Sequence, residues 1–174
     1  MSALSVSAVV IRLRAAGCVF AEDEARLLIA AARAPADLAA LVERRAAGEP
    51  LEYVLGWAEF CGMRITVDPG VFVPRRRTEF LVHQALACLD RLAPSPAAAV
   101  VVDLCCGSGA VGAALVAARP GIELTAVEVD PVAVRCARRN LVGAQVYEGD
   151  LYEPLPGALA GRVDVLVANV PYVP

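Results

Sequence analysis

Apolar positions recur with different spacings along this 174-residue chain. In the first third they repeat every three to four residues, as one-sided helices require. Residues about Ala3 to Ala16 form one such stretch, and Gly17 is its stop signal. Glu22, Asp23 and Glu24 open a second helix with acidic side chains where the helix dipole favours them, and Arg33 closes it. Pro35 and Asp37 begin a third, which ends near Gly48-Glu49-Pro50. These helices are rich in Ala and Leu and carry no catalytic constellation.

Between Trp57 and Phe72 the pattern changes character. Ala58-Glu59-Phe60 and Arg64-Ile65-Thr66-Val67 read as a strand pair around Cys61-Gly62, and Asp68-Pro69-Gly70 as a turn. Thr78 with Leu81, Val82, Ala85, Leu86 and Leu89 predicts a helix, and Pro94-Ser95-Pro96 a loop. From Ala98 apolar runs alternate with helical periods. The strands are Val100–Leu104, Leu124–Glu128, Gln145–Tyr147 and Val163–Ala168, and the helices Ala110–Ala118 and Val132–Leu141. Such alternation calls for parallel βαβ units with right-handed crossovers, an α/β fold.

Bulk properties narrow the function classes. The chain is 58% apolar and 20% charged, which suits a buried core. A net charge of −3 gives no general attraction to nucleic acid or anionic membranes. Arg12 and Arg14 follow the first apolar residues instead of preceding them, so no signal peptide is expected. The longest charge-free stretch, Leu104 to Ala118, is too short and too Gly-rich to span a bilayer. Six scattered cysteines without a C-x-x-C, and a single His83, offer neither a metal site nor a disulfide framework. A reducing cytoplasm fits best.

The densest motif is Asp103-Leu104-Cys105-Cys106-Gly107-Ser108-Gly109-Ala110-Val111-Gly112, which leaves a strand and enters a helix. Small residues let the backbone approach a ligand, and the helix start favours an anion. Gly107, Gly109 and Gly112 match G-x-G-x-x-G, with Glu128 where a ribose-binding acid is expected; alone this says dinucleotide. Asp103 speaks against it, because a carboxylate ahead of the glycines is awkward beside a pyrophosphate and suits an ammonium group. S-adenosyl-L-methionine offers an ammonium, a carboxylate, a sulfonium and a ribose diol, which Asp103, the Gly107–Gly109 loop and Glu128 serve in turn. Asp150 ends the third strand, with an adenine contact and a solvated turn equally weighted.

A second motif, Asn169-Val170-Pro171-Tyr172, follows the last apolar run, where open α/β sheets hold ligands. The Asn169 amide oxygen and the Val170 carbonyl are two acceptors, and Tyr172 is a flat face, a set that suits a planar group bearing NH2. Elsewhere Glu59 and Glu79 read as structural or solvated. Arg75-Arg76-Arg77 reads as a solvated loop, with a substrate-phosphate contact as the alternative. His83 has no partner in view, Trp57 and Phe60 read as core of the small helical domain, and Cys105 and Cys106 as small loop residues.

Four stretches together resemble the HemK-type protein-glutamine methyltransferases, which modify the GGQ glutamine of peptide chain release factors. They are Gly48–Gly56 with Glu59-Phe60, Val73-Pro74-Arg75 with Thr78-Glu79, the Asp103–Gly109 loop, and Asn169 to Tyr172. The resemblance implies a helical substrate-recognition domain over 1–55 and a β-hairpin linker with a connecting helix over 56–97. Residues 98–174 would be the amino-terminal part of a Rossmann-like methyltransferase domain, its sheet incomplete and its strands in the order 3-2-1-4. It implies S-adenosyl-L-methionine as cofactor, held by Asp103, Cys105, Gly107, Ser108, Gly109, Glu128, Asp150 and Asn169, with no metal. It implies catalysis by Asn169, Val170, Pro171 and Tyr172, a release factor as protein partner, and a cytoplasmic monomer without a nucleic-acid or membrane partner.

Three departures from the family pattern matter. Val170 replaces the first Pro of Asn-Pro-Pro-Tyr, Pro74-Arg75-Arg76-Arg77-Thr78-Glu79 replaces Pro-Arg-Pro-(Asp/Glu)-Thr-Glu, and Cys105 replaces the first loop glycine. The family also carries strands beyond the Asn-x-Pro-Tyr segment, so a carboxyl-terminally truncated form is expected. The rival readings are a ribosomal-protein glutamine or an exocyclic base amine as target, a nicotinamide dehydrogenase, and a non-catalytic module or fragment.

Overall fold

The computed structural model describes residues 5–92 and 98–170. The expected starts and loops at Ala3, at Pro94-Ser95-Pro96, and at Pro171 and Tyr172 lie outside them. The chain divides into two compact units, Met1–Trp57 and Ala58–Pro174.

In the first unit α1 spans Val6–Ala15, and Ser5 caps it by accepting the Ala8 N–H at 3.2 Å. Helix α2 covers Ala21–Ala31 and stops short of Arg33; α3 covers Pro35–Ala46 with proline in its first turn. A further helix, α4, occupies Leu51–Leu55 and is closed by Gly56 in the left-handed region. The helical period did not announce α4, because five residues make little more than one turn. Val9, Leu13, Ala21, Ala25 and Leu28 form the fully buried centre, with Val42 and Val54 against it. Arg45 reaches Glu24 at 2.6 Å across that core's edge.

The second unit contains the hairpin and the sheet. Strands β1 (Trp57–Phe60) and β2 (Met63–Thr66) meet at Cys61-Gly62, whose φ angles are 48° and 72°. Two left-handed residues suit a tight hairpin turn, and the Glu79 carboxylate accepts the Cys61 N–H at 2.9 Å. Glu79 is thus structural. A 3-10 turn at Arg76–Thr78 leads into α5 (Glu79–Leu89). Then follow β3 (Val100–Leu104), α6 (Ala110–Ala118), β4 (Glu123–Glu128), α7 (Pro131–Asn140), β5 (Gln145–Glu148) and β6 (Val165–Ala168).

The four long-range strands are all parallel and lie in the order β5-β4-β3-β6, the expected 3-2-1-4. Strand β6 begins at Val165, two residues later than its apolar run. The Asp164 carboxylate takes the Val100 N–H at 2.8 Å, in place of a backbone ladder partner. One face of the sheet packs Val101, Ala126, Val165 and Val167 against Leu115 and Val134 of the helices and against Phe60 and Ile65 of the hairpin. Phe60, expected in the helical domain's core, is fully buried in this one, because alternation along β1 turns it toward the sheet. The opposite face buries Val102, Leu104 and Val127 beneath Tyr147 and Leu155. Register pairs Leu104 with both Val127 and Ala168, so β4, β3 and β6 end at one edge, where Glu128, the Cys105 loop and Asn169 emerge.

Candidate functional site

The loop after β3 is a tight spiral of backbone. Cys105, Gly107 and Gly109 have φ of 54°, 56° and 78°. Cys106 N–H donates to the Val127 carbonyl at 3.0 Å and Gly109 N–H to the Cys106 carbonyl at 2.8 Å, so the loop is pinned to β4 and to itself. The glycines serve different ends. A Cβ on Gly107 would meet nothing, whereas one on Gly109 would lie 2.9 Å from Leu141 Cγ and 3.3 Å from Ala137 Cα. One on Gly112 would lie 2.9 Å from Leu124 Cδ2. Gly109 and Gly112 therefore let α6 seat closely, and Gly107 leaves ligand-sized room.

Asp103 is 3% exposed, and its Oδ2 accepts the Gly112 N–H at 3.0 Å. Burial pushes its carboxyl up to about 7; the Gly112 hydrogen bond opposes this and the Glu128 charge adds to it. Glu128 is held by three backbone N–H groups: Gly107 at 2.8 Å on Oε2, Val129 at 2.8 Å and Asp130 at 3.1 Å on Oε1. The carboxylate cannot swing away from the loop. Asp130 caps α7 by accepting the Val132 N–H at 2.7 Å. Burial, then the charges of Asp103 and Glu128, push the Cys106 thiol far up; the Cys105 thiol is raised as well, by burial first and then by the Glu128, Asp103 and Asp150 charges. Both are poor nucleophiles.

These residues line a cavity of about 540 Å³. One wall is Asp103, Cys105, Cys106, Gly107 and Ser108, with Glu128, Val129 and Asp130 beside it and Asn169 and Val170 at the end of β6. A second part of the lining comes from Phe60 and from the segment Gly70, Val71, Phe72, Pro74, Arg75, Arg77 and Thr78. The Arg75 guanidinium lies over the Phe72 ring, 5.7 Å from its centroid. Asn169 is half-buried and Val170 exposed. Two residues expected at the cofactor do not line the cavity. Gly109 faces α7, for the steric reason above. Asp150 is exposed after β5, although its charge reaches the Cys105 thiol. His83 is exposed on α5, and Glu59 is exposed 3.8 Å from Arg76.

The structure also supplies residues that the motifs did not point to. Gly70, Val71 and Phe72 line the cavity next to Pro74, Arg75, Arg77 and Thr78 of the second family stretch. Asn140, at the end of α7, ties that segment's root to the glycine loop through Thr66 and Ser108. Nothing local marks Asn140, since Thr66 lies 74 positions away. Among the described residues no group of three or more His, Cys, Asp or Glu side chains is placed to hold a metal, and no helix is long and apolar enough to cross a membrane.

Comparison with known proteins agrees with the resemblance carried by the motifs. The profile of the family described as Methyltransferase small domain matches residues 62–173. A release factor glutamine methyltransferase of Geobacter sulfurreducens is 43% identical over 80% of this chain and 49% of its own length. That of Mycolicibacterium smegmatis is 41% identical over 87% of this chain and 54% of its own. A 4-amino-L-phenylalanine/4-methylamino-L-phenylalanine methyltransferase of Streptomyces pristinaespiralis is 40% identical over 76% of this chain and 46% of its own. The chain spans about half the length of these curated relatives.

Proposed function

The chain belongs to the methyltransferase small-domain family, and from that premise we propose that it is the donor-binding part of a protein-glutamine N-methyltransferase. The donor is S-adenosyl-L-methionine and the acceptor the side-chain amide of a glutamine in a peptide chain release factor. One observation carries the reading. Three adjacent parallel strands deliver Asp103, Glu128 and Asn169 to one edge of one cavity.

The residues fit the donor. A buried carboxylate suits an ammonium, Gly107 allows close backbone approach, and Glu128 keeps acceptor capacity for a diol after its three N–H bonds. Phe60, Val71, Val111 and Ala133 offer apolar walls for a purine. When bound, S-adenosyl-L-methionine supplies a methyl group on a sulfonium. The protein's own task is to present the acceptor nitrogen. Amide nitrogen is a poor nucleophile because its lone pair is delocalised into the carbonyl. Asn169 Oδ1 and the Val170 carbonyl accept its two N–H bonds, which orients and polarises it. Only the backbone of residue 170 is used, so Val in place of Pro keeps the acceptor. The same assignment gives Pro171 and Tyr172, the rest of the motif, to the acceptor. No strong base is needed, because a methylated amide nitrogen sheds its extra proton readily.

Residues 1–55 are assigned to acceptor recognition, and the enzyme to the cytoplasm as a monomer without a nucleic-acid partner. The six free thiols support that compartment. A second reading has its own support. Phe72 with Arg75 over its ring, beside Phe60, presents an apolar face and a cation, which suit an aromatic amine bearing a carboxylate. One relative's printed substrate, 4-amino-L-phenylalanine, is of that kind. Calorimetry with S-adenosyl-L-methionine, its demethylated product and NAD tests the donor, and heat with NAD alone overturns it. Mass spectrometry of a release factor and of 4-amino-L-phenylalanine incubated with the full-length enzyme decides the acceptor.

A further inference from the structure

Asn140 spends its whole side-chain amide on two elements: the end of β2, from which the chain runs on to the lining segment Gly70–Thr78, and the glycine loop, whose Ser108 lines the cavity. Its Oδ1 accepts the Thr66 N–H at 2.9 Å, and its Nδ2 donates to the Thr66 carbonyl at 2.9 Å and to the Ser108 carbonyl at 2.8 Å. The amide thus occupies the place a neighbouring strand residue would take beside β2, and its second N–H crosses to the glycine loop. A flipped amide would set its oxygen against two carbonyls, so this orientation alone satisfies the network. The same face of α7 adds Cys136, whose thiol donates to the Thr66 carbonyl at 3.1 Å, and Arg139, 2.5 Å from Asp68. Neither of these touches the loop. Beyond Thr66 and Asp68 the chain continues into Gly70, Val71 and Phe72 of the cavity lining.

From this we infer that Asn140 is a positioning residue that couples the donor loop to the acceptor wall. Ordering the loop around the donor draws on the Ser108 carbonyl and, through the one amide, on the exit of β2. The inference rests on the reading of the cavity as the donor pocket. Its reach is short. Of the three Asn140 hydrogen bonds one reaches the loop; such a bond is worth roughly 1 kcal/mol net, so the coupling amounts to a severalfold change and not to an all-or-none switch.

Hydrogen–deuterium exchange with S-adenosylhomocysteine as the probe tests it. In the wild type, saturating probe slows exchange over 105–112 and also over 66–75. In Asn140→Ala the loop is still protected, and the transmitted protection of 66–75 falls severalfold, roughly fivefold, the loss expected for the one hydrogen bond that reaches the loop. Arg139→Ala, which weakens the same helix contact without reaching the loop, keeps the transmitted protection. If Asn140→Ala does not fold, Asn140→Asp, which retains the acceptor but loses both donors, is read the same way. Full protection of 66–75 in either variant, or none in the wild type despite protection of 105–112, overturns the coupling alone. Absence of probe binding to wild type overturns the donor-pocket reading as well.

Discussion

The two walls of the cavity are built by different means. On the donor side, Asp103 to Gly112 is held by bonds to its immediate neighbours: Gly109 N–H to Cys106, Gly112 N–H to Asp103, and Glu128 across one strand spacing. On the acceptor side, Gly70 to Thr78 has the turn bond from Val71 N–H to Asp68 and the turn from Thr78 N–H to Arg75. Its root hangs on α7 through residues some seventy positions away. A wall of short-range bonds takes its shape from its own stretch of chain. A wall anchored at a distance takes its shape from elements that meet only in the fold.

The largest expected effect falls on the β6 end of the wall that also carries Asp103 and Glu128. In the full-length enzyme Asn169→Ala lowers methyl transfer by about a hundredfold or more, as losing a preorganised polar contact does. Donor affinity by calorimetry changes little, and an unchanged rate removes Asn169 from the mechanism. The next effect is set by pH. Asp103 has a folded-state carboxyl near 7 against roughly 3.9 unfolded, so the folded chain holds the extra proton in between. Stability from this group is present below about pH 4, is lost as pH rises toward 7, and is level above. Asp103→Asn flattens that slope in melts taken from pH 4 to 8. Because an ammonium partner needs the ionised form, S-adenosylhomocysteine binds more tightly as pH rises through 7 in the wild type, and without that dependence in Asp103→Asn.

Smaller effects follow. Gly109→Val costs about 1–3 kcal/mol of stability through overpacking against Leu141 and Ala137, plus strain at positive φ, read from chemical denaturation. Gly107→Ala has open space and pays only the backbone strain, so equal losses at the two glycines contradict the division of roles argued above. Asp103→Ala weakens the donor by about 1–3 kcal/mol, measured by titration. Arg75→Ala is the mildest. It removes a contact with the Phe72 ring worth about 0.5–1 kcal/mol. It leaves donor affinity unchanged and raises KM for the acceptor; a change in donor affinity instead puts Arg75 on the wrong wall.

Short stretches of chain decide their own elements, and these were legible from the residues alone. Alternating apolar runs and helical periods announced the four parallel strands and their crossovers. The Asp103 loop and Glu128 announced one part of the cavity lining, because a strand end, glycines and an acid one strand later are each local patterns whose geometry follows from φ angles and register. Cys61-Gly62 likewise announced its hairpin. Tertiary structure decided the rest. Helix α4 was too short to show a period, and Phe60 joined the sheet's core because of the side of β1 it occupies. Gly109 was turned from ligand to packing by Leu141, and Asp150 was left exposed outside the cavity wall. Asn140 became a junction only when Thr66 and Ser108 were brought to either side of it. Its three hydrogen bonds exist only after two distant loops have closed, and no local preference of the chain encodes such a meeting.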